Sequence, residues 1–366
     1  MKTIFQTLEK DKLFSISLLA ATATSVFVRP ELSYINFKVL ILLFNLMLII
    51  SALKDMQLLD KAALCMLEKC SDTRTLSLIF IIITFFASML VTNDVALLTF
   101  VPLCIITFKK TKLDPMKTII FQTLAANIGS SLTPMGNPQN LFLFAYYKLS
   151  AMQFFSVTIP FVAFGMLWLF ILNKRVVRKK ILLVNHSSSI KVNKRTLIYI
   201  LLFSFIVFSV FGIVDYKYTL LITLLSVILL DKQLIARVDY FLLGTFICFF
   251  IFIGNISNIS FIKTFLTLIL QKPSMPYISS ILLSQVVSNV PCSILVSSFT
   301  SNWKEVLLGV NTGGMGTIIA SLASVISYKI YIKENQCKNR SYLLKFNIYN
   351  IISLFVFTIF NYLCLS

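Results

Sequence analysis

The chain has 366 residues, of which 58% are hydrophobic, and its mean hydropathy is +0.89. This composition excludes an ordinary soluble domain, and repeated apolar runs of about 20 residues predict an all-α polytopic membrane protein with the lipid bilayer as a partner. The net charge of +19 comes from Lys and Arg in short loops between apolar segments, which is the positive-inside pattern and predicts no nucleic-acid partner.

The N-terminal part contains a charged tail, two membrane spans and a basic interfacial segment. Residues 1–12 carry acids and bases and lack a small-residue cleavage site, so we predict a cytoplasmic N-terminus in the cell membrane. Spans are expected at residues 13–28 and 37–53, followed by an interfacial helix at residues 54–74. The seven cysteines show no metal-binding spacing, and we expect no disulfide framework and no cofactor.

The next apolar region, residues 76–108, is interrupted by the triplet T-N-D at residues 92–94, and basic residues flank both of its ends. Positive charge at both ends places them on the same side of the membrane. The pattern predicts a re-entrant helical hairpin with the triplet at its tip. A long tilted helix is the alternative interpretation.

Residues 118–147 have the length of a membrane span, but the middle is rich in polar residues, Gly and Pro. A helix can unwind in hydrocarbon only where protein or a water-filled cavity satisfies its freed backbone groups. The region therefore predicts a broken helix that lines a substrate site, with a kinked or small-residue packing helix as the alternative. The polar and helix-breaking candidates here are Asn127, Gly129, Ser130, Asn137 and Pro138.

The second half repeats this order of elements after a strongly basic linker at residues 174–195. A second hairpin is expected at residues 277–299, with its tip at S-N-V-P, and a second broken helix at residues 303–330, unwound at 309–317. Simple spans complete the count of about nine and are expected at residues 154–172, 196–214, 218–230, 239–253 and 344–364, with an outer interfacial segment at 257–271.

The two halves therefore form an inverted repeat, because the two hairpins enter from opposite faces and each precedes a helix unwound at Asn and Gly. We divide the chain into a first repeat at residues 1–173, the linker, and a second repeat at residues 196–366. The fold class that follows is an inverted-repeat transporter with two re-entrant hairpins, two broken transmembrane helices and its site near the membrane midplane.

Helix N-termini are the expected source of positive charge at this site, because no Lys or Arg is predicted at mid-membrane. The second hairpin arms are expected to begin at Asp94 and Pro291, and the second pieces of the broken helices near Pro138, which Asn137 would cap, and Thr317. Such N-termini bind anions through unpaired N–H groups and the helix dipole. Capping alone, without a ligand, is the alternative. Hydroxyls and carbonyls of the unwound stretches, including Ser130 and Thr312, suit Na⁺.

Asp94 is the one carboxylate that the sequence places deep in an apolar run. An acid inside the membrane is a candidate proton carrier or cation ligand. Its alternative role is to cap the second hairpin arm. An ionised Asp94 would favour cation exchange or a neutral substrate, whereas a protonated one would tolerate an anion beside it.

These motifs resemble the ion transporter superfamily that contains divalent anion/sodium symporters, citrate transporters, arsenite permeases and NhaD-type sodium/proton antiporters. The resemblance covers nearly the whole chain. It is carried by T-N-D at 92–94, N-I-G-S-S-L-T-P-M-G-N-P-Q-N at 127–140, S-N-V-P at 288–291 and N-T-G-G-M-G-T at 311–317. The G-N-P-Q-N run is most similar to the anion-permease branch.

The resemblance implies roles for individual residues of the two hairpin tips and the two unwound stretches. Asn93 and Asn289 would contact the substrate. One cation would lie among Thr92, Asn127 and Gly129, and a second among Ser288, Asn311 and Gly313. Asp94 and Val290 stand where the dicarboxylate symporters have Thr, so the implied substrate is not specifically a dicarboxylate. The superfamily also implies an elevator-like motion and frequent homodimers.

Other classes of function can be weighed on the same residues. An intramembrane protease is excluded, since the chain has one His, outside the apolar segments, and one deep Asp. A channel also lines its pore with broken helices, but two inverted hairpins favour alternating access. The leading hypothesis is therefore a permease for a small anion, coupled to Na⁺ or H⁺. The alternative is a Na⁺/H⁺ antiporter or an arsenite-type permease of the same superfamily.

Overall fold

The computed structural model describes residues 12–56, 70–110, 113–181 and 193–365, and this part of the chain is almost entirely helical. The N-terminal tail, most of the expected interfacial helix at 54–74 and the middle of the basic linker lie outside the described residues. The helices of the first half are α1 Lys12–Ser25, α2 Phe37–Asp55, α3 Thr73–Val91, α4 Asn93–Lys110, α5 Met116–Ser130, α6 Pro138–Tyr146 and α7 Ala151–Asn173.

Nine helices follow in the second half of the described chain. They are α8 Lys194–Val210, α9 Tyr216–Asp231, α10 Tyr240–Ser257, α11 Ser260–Leu270, α12 Met275–Val287, α13 Asn289–Ser297, α14 Trp303–Gly313, α15 Leu322–Glu334 and α16 Asn339–Leu365.

Six of the described helical segments are long and apolar enough to cross a membrane, which confirms a polytopic all-α membrane protein. They contain α2, α3, α7, α9, α10 and α16. Five of these, α2, α7, α9, α10 and α16, correspond to spans that the sequence predicted, and the sixth, α3, is the first arm of the expected hairpin at 76–108. The other two predicted simple spans, at 13–28 and 196–214, are the shorter helices α1 of 14 residues and α8 of 17 residues. Each broken helix consists of two short pieces in the structure, and neither piece reaches the length of a span.

Two helix–turn–helix pairs occupy the regions where hairpins were expected. We call α3–α4 hairpin 1 and α12–α13 hairpin 2; in each, the two helices pack against each other. One residue separates the arms, Thr92 with φ 73° and ψ 151° in hairpin 1 and Ser288 with φ 71° and ψ 155° in hairpin 2. Residues other than Gly rarely adopt this conformation, which costs about 1–3 kcal/mol. Both tips therefore share one strained geometry.

Both broken helices are interrupted, but the second interruption lies further along the chain than expected. Residues 131–137, here called break 1, separate α5 from α6, and residues 314–321, called break 2, separate α14 from α15. Gly309 and Gly313 belong to helix α14, where the absence of a side chain lets α14 pack closely on α12. A Cβ at Gly309 would lie 2.6 Å from Ser280 Cβ. The glycine that break 2 requires is Gly316, at φ 107°.

The second helices also begin at slightly different residues than predicted. The second arms of the hairpins begin at Asn93 and Asn289 rather than at Asp94 and Pro291. The helix after break 2 begins at Leu322, whereas Thr317 precedes only a short 3₁₀ turn at Ile318–Ala320. The helix after break 1 begins at Pro138, as predicted.

The two halves pack in matching ways, and the second arm of each hairpin packs on the second piece of the broken helix in the other half. Within the halves, α3 packs on α5 and α12 packs on α14. Between the halves, α4 packs on α15 and α13 packs on α6. Each hairpin is thus held by its own broken helix and by the second piece of the other one. This arrangement brings both tips and both breaks to the middle of the protein.

Several basic residues meet at one end of the protein, which we call the basic end. Lys117 Nζ donates to the carbonyl of Arg175 at 2.9 Å, Lys109 pairs with Glu334, and Lys338 Nζ lies 2.8 Å from Asp114 Oδ2. The start of α3 is joined to residues 173–181 by further contacts, among them Thr73 N to the carbonyl of Lys179 at 3.0 Å. Both ends of hairpin 1 therefore lie at the basic end.

Thr92 provides a test of the strained tip. We expect the Thr92→Gly variant to be more stable than Thr92→Ala by about 1 kcal/mol, because glycine tolerates a positive φ and alanine does not. Thermal unfolding of the two purified variants in the same detergent measures the difference. Glycine and alanine substitutions at Phe86, an exposed residue within helix α3, are the control. At this helical position the alanine variant should be the more stable of the two. Equal stability of the two Thr92 variants would contradict a strained tip.

Asp72 at the basic end provides a second test. Its carboxylate accepts hydrogen bonds from the backbone N–H groups of Arg74 and Thr75, both at 3.0 Å, and so caps α3. Burial acts to raise its pKa, but the hydrogen bonds from Thr75 and the charge of Arg178 outweigh burial and lower the pKa. This contribution to stability is present above the unfolded pKa of Asp and is lost as pH falls through the folded pKa.

We expect Asp72→Ala to reduce stability at pH 7 by about 1 kcal/mol, because it removes the cap, and Asp72→Asn to reduce it much less, because Asn also caps. Melting curves of both variants and the wild type at pH 7 and at pH 3, below the unfolded pKa of Asp of about 3.9, measure this. The difference between wild type and Asp72→Asn should shrink at the lower pH. An equal loss in both variants at pH 7 would show that the charge and not the cap stabilises α3.

Candidate functional site

The N-terminal turns of four helices line one small cavity at the centre of the protein. These helices are the second arms of both hairpins, α4 and α13, and the second pieces of both broken helices, α6 and α15. The cavity, called the tip cavity, has a volume of about 20 Å³, which is room for about one water molecule. Its polar lining comes from Asn93, Asp94, Gln139, Thr245, Ser288, Asn289 and Ser321.

Asn127, on the last turn of α5, connects hairpin 1 with the second half of the chain. Its side-chain oxygen accepts a hydrogen bond from Ser321 Oγ at 3.0 Å and lies 3.4 Å from the donor Asn93 Nδ2. Its Nδ2 donates to the carbonyl of Gly314 at 3.2 Å. Asn127 is buried. A single amide side chain therefore links a hairpin tip to both ends of break 2.

Asn311 takes the corresponding position on α14. Its Nδ2 donates to Asn140 Oδ1 on α6 at 2.9 Å and to the carbonyl of Leu307 at 3.0 Å. Its Oδ1 is buried without a hydrogen-bond partner in the described structure. Asn140 was not among the residues singled out from the sequence, although it belongs to the G-N-P-Q-N motif. Its role depends on a contact across the two halves.

Break 1 is held together by its own side chains. Asn137 caps α6 by accepting from Asn140 N at 2.9 Å, and it donates to Ser130 Oγ at 3.1 Å. The hydroxyls of Ser130 and Ser131 donate to the carbonyl of Asn127 at 3.2 and 2.8 Å. Asn140 Nδ2 donates to the carbonyls of Ser131 and Thr133 at 3.2 and 3.5 Å, so these unwound carbonyls have partners inside the protein, as an interruption within the membrane requires.

Break 2 is held by Gln285 of hairpin 2, a residue that sequence reasoning missed. Gln285 Nε2 donates to the carbonyls of Gly313 and Met315 at 2.8 and 3.1 Å. Its Oε1 accepts from Thr317 N at 2.9 Å, and Thr317 Oγ1 donates to the Gln285 carbonyl at 3.1 Å. In the sequence, Gln285 looks like any other polar residue on a helix, so only the fold shows that it binds the backbone of break 2.

Nine of the fourteen predicted site residues do not line the tip cavity: Thr92, Asn127, Gly129, Ser130, Asn137, Asn311, Thr312, Gly313 and Thr317. Three of these nine make contacts between neighbouring helices. A Cβ at Gly129 would collide with the Phe85 carbonyl oxygen of α3, and one at Gly313 would lie 2.7 Å from Ser284 Cβ of α12. These glycines permit close helix approach. The Thr312 hydroxyl accepts a hydrogen bond from Asn361 of α16 at 2.9 Å.

A larger cavity of about 290 Å³ extends from the site toward the basic end and is called the basic-end cavity. Its inner wall includes Thr92, Asp94, Asn137 and Pro138. Its outer wall includes charged residues at the end of α2 and the start of α10. The predicted site residues Thr92, Asn137 and Pro138 therefore line the cavity that leads toward the basic end.

Asp94 lies in the walls of both the tip cavity and the basic-end cavity. Its Oδ1 is buried and has no hydrogen-bond partner in the described structure. The backbone N–H of Asp94 itself donates to Asn93 Oδ1 at 2.9 Å, so Asn93 provides the polar side chain at this helix start. An unpartnered carboxyl oxygen at the end of an access cavity can bind a proton or a cation.

Comparison with known proteins agrees with this architecture. Residues 4–302 match the family model of the citrate transporters, CitMHS. An uncharacterized transporter of Methanocaldococcus jannaschii is 38% identical over 300 residues, which cover 81% of this chain and 81% of that protein. The inner membrane protein YbiR of Escherichia coli is 28% identical over 334 residues, covering 89% of each chain.

A shorter similarity links the chain to the transporter arsB of Dictyostelium discoideum, with 32% identity over 127 residues, which cover 35% of this chain and 23% of that protein. The family and these relatives confirm the superfamily resemblance of the sequence motifs. The family and two of the relatives carry the names of transporters and not of enzymes. The chain is a multi-pass membrane transporter that belongs to the citrate transporter family.

Proposed function

We propose that the protein is a secondary active transporter that moves a small anion across the cell membrane by alternating access, coupled to H⁺ or Na⁺. The observation that carries the proposal is the convergence of four helix N-termini on the tip cavity. In keeping with the positive-inside rule, the basic end faces the cytoplasm.

The convergence of the N-termini favours an anion. Each helix N-terminus carries about half a positive charge and exposes N–H donors. The described lining of the tip cavity contains no Lys or Arg. Asn93 and Asn289 add amide donors, one from each hairpin tip. Together they can hold an anion with hydrogen bonds and dipoles alone, in surroundings where a fixed cation would be costly to bury.

The size of the tip cavity favours alternating access. A volume of about 20 Å³ is too small for a carboxylate or an oxyanion, so the hairpin tips must separate before the substrate binds. The strained residues Thr92 and Ser288 are the natural hinges, because each is the single residue between two helical arms. Movement of the tips would open the site toward one end at a time.

Asp94 is the residue that we assign to coupling. Its carboxyl group adjoins the tip cavity, where a negative charge would repel a bound anion at close range. Protonation, or neutralisation by Na⁺, removes this repulsion and makes anion binding depend on the coupling ion. Oxygen ligands for Na⁺ are proposed at Thr92 and Asn127 around tip 1, and at Ser288 and Asn311 around tip 2. A homodimer is the proposed assembly.

The second candidate function is a Na⁺/H⁺ antiporter or an arsenite-type permease. The unpartnered carboxyl oxygen of Asp94 favours the antiporter, since an acid in an access cavity is what exchange of H⁺ and Na⁺ requires. The partial similarity to the Dictyostelium transporter named arsB supports the permease.

The first test measures the thermal stability of the purified protein in a matrix of conditions. Each cation, Na⁺, Li⁺ or K⁺, is combined with a series of pH values and with sulfate, phosphate, citrate, succinate, arsenite or no anion. A ligand at 100 times its Kd adds about 2.7 kcal/mol. We expect one anion to stabilise the protein only at low pH or with Na⁺. The Asp94→Asn variant, whose amide is always neutral, should bind that anion without the coupling ion. Stabilisation by Na⁺ or Li⁺ alone that is lost in Asp94→Asn would instead identify the antiporter.

The two tip amides provide a second test. Asn93→Ala and Asn289→Ala should each weaken binding of the stabilising anion about tenfold or more, because a hydrogen bond to a charged group contributes about 1.5–3 kcal/mol. Titration of the anion against melting temperature measures the affinity. Asn258→Ala is the control, since that amide bonds to Tyr34 and Gly254, away from the tips. Unchanged affinity in both tip variants would remove the anion from this cavity.

A further inference from the structure

Helix α2 carries a lysine near each end, and each lysine lines a different cavity. Lys54 lies in the wall of the basic-end cavity. Lys38 lies in the wall of a cavity of about 500 Å³ near the opposite end, called the far-end cavity. The two residues are sixteen positions apart, or about 24 Å along a helix. Both side chains are half-buried.

The two cavities occupy corresponding places in the two halves of the fold. The basic-end cavity is lined by α4, the second arm of hairpin 1, and the far-end cavity by α13, the second arm of hairpin 2. Helices α2, α6 and α10 form walls of both. Each cavity therefore lies between the second arm of one hairpin and the same wall helix, α2.

The tip cavity communicates with only one of them in this structure. It shares Asp94, Pro138, Leu242 and Leu322 with the basic-end cavity and no lining residue with the far-end cavity. On the far side, the rings of Phe142 and Phe250, 5.8 Å apart between centroids, lie in the wall of the far-end cavity. In this structure the tip cavity therefore adjoins the basic-end cavity and is separated from the far-end cavity.

Each lysine supplies the positive charge of its cavity that forms no ion pair within the described part of the chain. Lys38 is the one charged residue among the described residues that line the far-end cavity. In the basic-end cavity, Arg237 is paired with Asp55, and the acids Asp94 and Asp239 are present. Lys54 forms no ion pair within the described part of the chain.

We propose that Lys54 and Lys38 are anion-capture residues, one for each side of the membrane, that concentrate small carboxylates or oxyanions at the mouths of the two access cavities. The inference rests on the proposed anion transport. A lysine in a low-dielectric wall attracts anions more strongly than one in open solvent, and such focusing raises the local substrate concentration. The stem of a half-buried lysine packs on the wall while its ammonium group remains accessible.

The consequence is that different chemical groups attract and bind the anion along the transport path. Capture uses a mobile, hydrated ammonium group, whereas the central site uses helix dipoles and amides. An anion that met a fixed cation at the centre would be held too tightly to leave. Lysines at the mouths attract the anion from either side without adding to that barrier.

The experiment measures initial rates of radiolabelled citrate, sulfate, phosphate, succinate and arsenite transport in intact cells and in inside-out vesicles that carry the wild type, Lys38→Gln or Lys54→Gln. For the transported anion, each variant should raise KM about three- to tenfold on one side only, the two variants on opposite sides, with kcat unchanged. High ionic strength should reduce the difference, because salt screens exposed charges. Lys38→Arg and Lys54→Arg should restore the wild-type KM.

Lys232→Gln and Lys263→Gln are matched controls, because both lysines are exposed and line neither cavity. Neither should change KM on either side. If wild type transports an anion and both cavity variants keep its KM, the capture role is wrong while the proposed function stands. If the wild type transports none of the anions, both fail. Transport of arsenite alone, with KM insensitive to both lysines, would also overturn the inference, since arsenite moves as a neutral acid.

Discussion

The structure depends on the need to satisfy unwound backbone where no bulk water is available. Two breaks lie at the centre of the protein, and each frees N–H and C=O groups that would be costly to leave unpaired. Break 1 uses Asn140, in the first turn of α6, whose Nδ2 donates to the carbonyls of Ser131 and Thr133 at 3.2 and 3.5 Å. Break 2 uses Gln285, which reaches from hairpin 2 to three backbone groups. The polar centre is therefore a structural necessity before it is a binding site.

The same hydrogen bonds couple the two halves of the chain. Asn127 of the first half bonds to Gly314 and Ser321 of the second, and Asn311 of the second bonds to Asn140 of the first. Because each asparagine bridges to the opposite half, movement of one break must disturb the other. The nearly identical strained tips suit such coupling, since both hairpins can respond in the same way to a change at the centre.

Charge is distributed unevenly along the route through the protein. Lysines line the basic-end and far-end cavities, and the tip cavity holds amides, hydroxyls, helix N-termini and the carboxyl group of Asp94. Desolvation explains this order: a permanent cation would be expensive to bury at the centre, whereas dipoles that belong to the fold carry no such cost. Asp94 can exist without charge, which makes it the one acid that the centre can accommodate in two states.

The sequence by itself determined the class of the protein, the polar interruptions and the family motifs. Apolar run length reports membrane helices, and dense Asn, Gly, Pro and Ser within such a run cannot continue an ordinary helix, so the hairpin tips and break 1 could be predicted within a few residues. The sequence predicted break 2 several residues before its actual position, because a glycine such as Gly309 or Gly313 can either unwind a helix or permit close packing. Only the neighbouring helix α12 decides between these roles.

Tertiary structure alone decided which polar groups meet. Gln285, Asn140 and Ser321 act across separations of many residues, and a one-dimensional pattern contains no distance between them. The orientation of Thr312 toward Asn361, and the two cavities on either side of α2, likewise arise from helix packing. Sequence periodicity reports what a segment must bury, but the identity of the partner is set by the three-dimensional arrangement of all helices together.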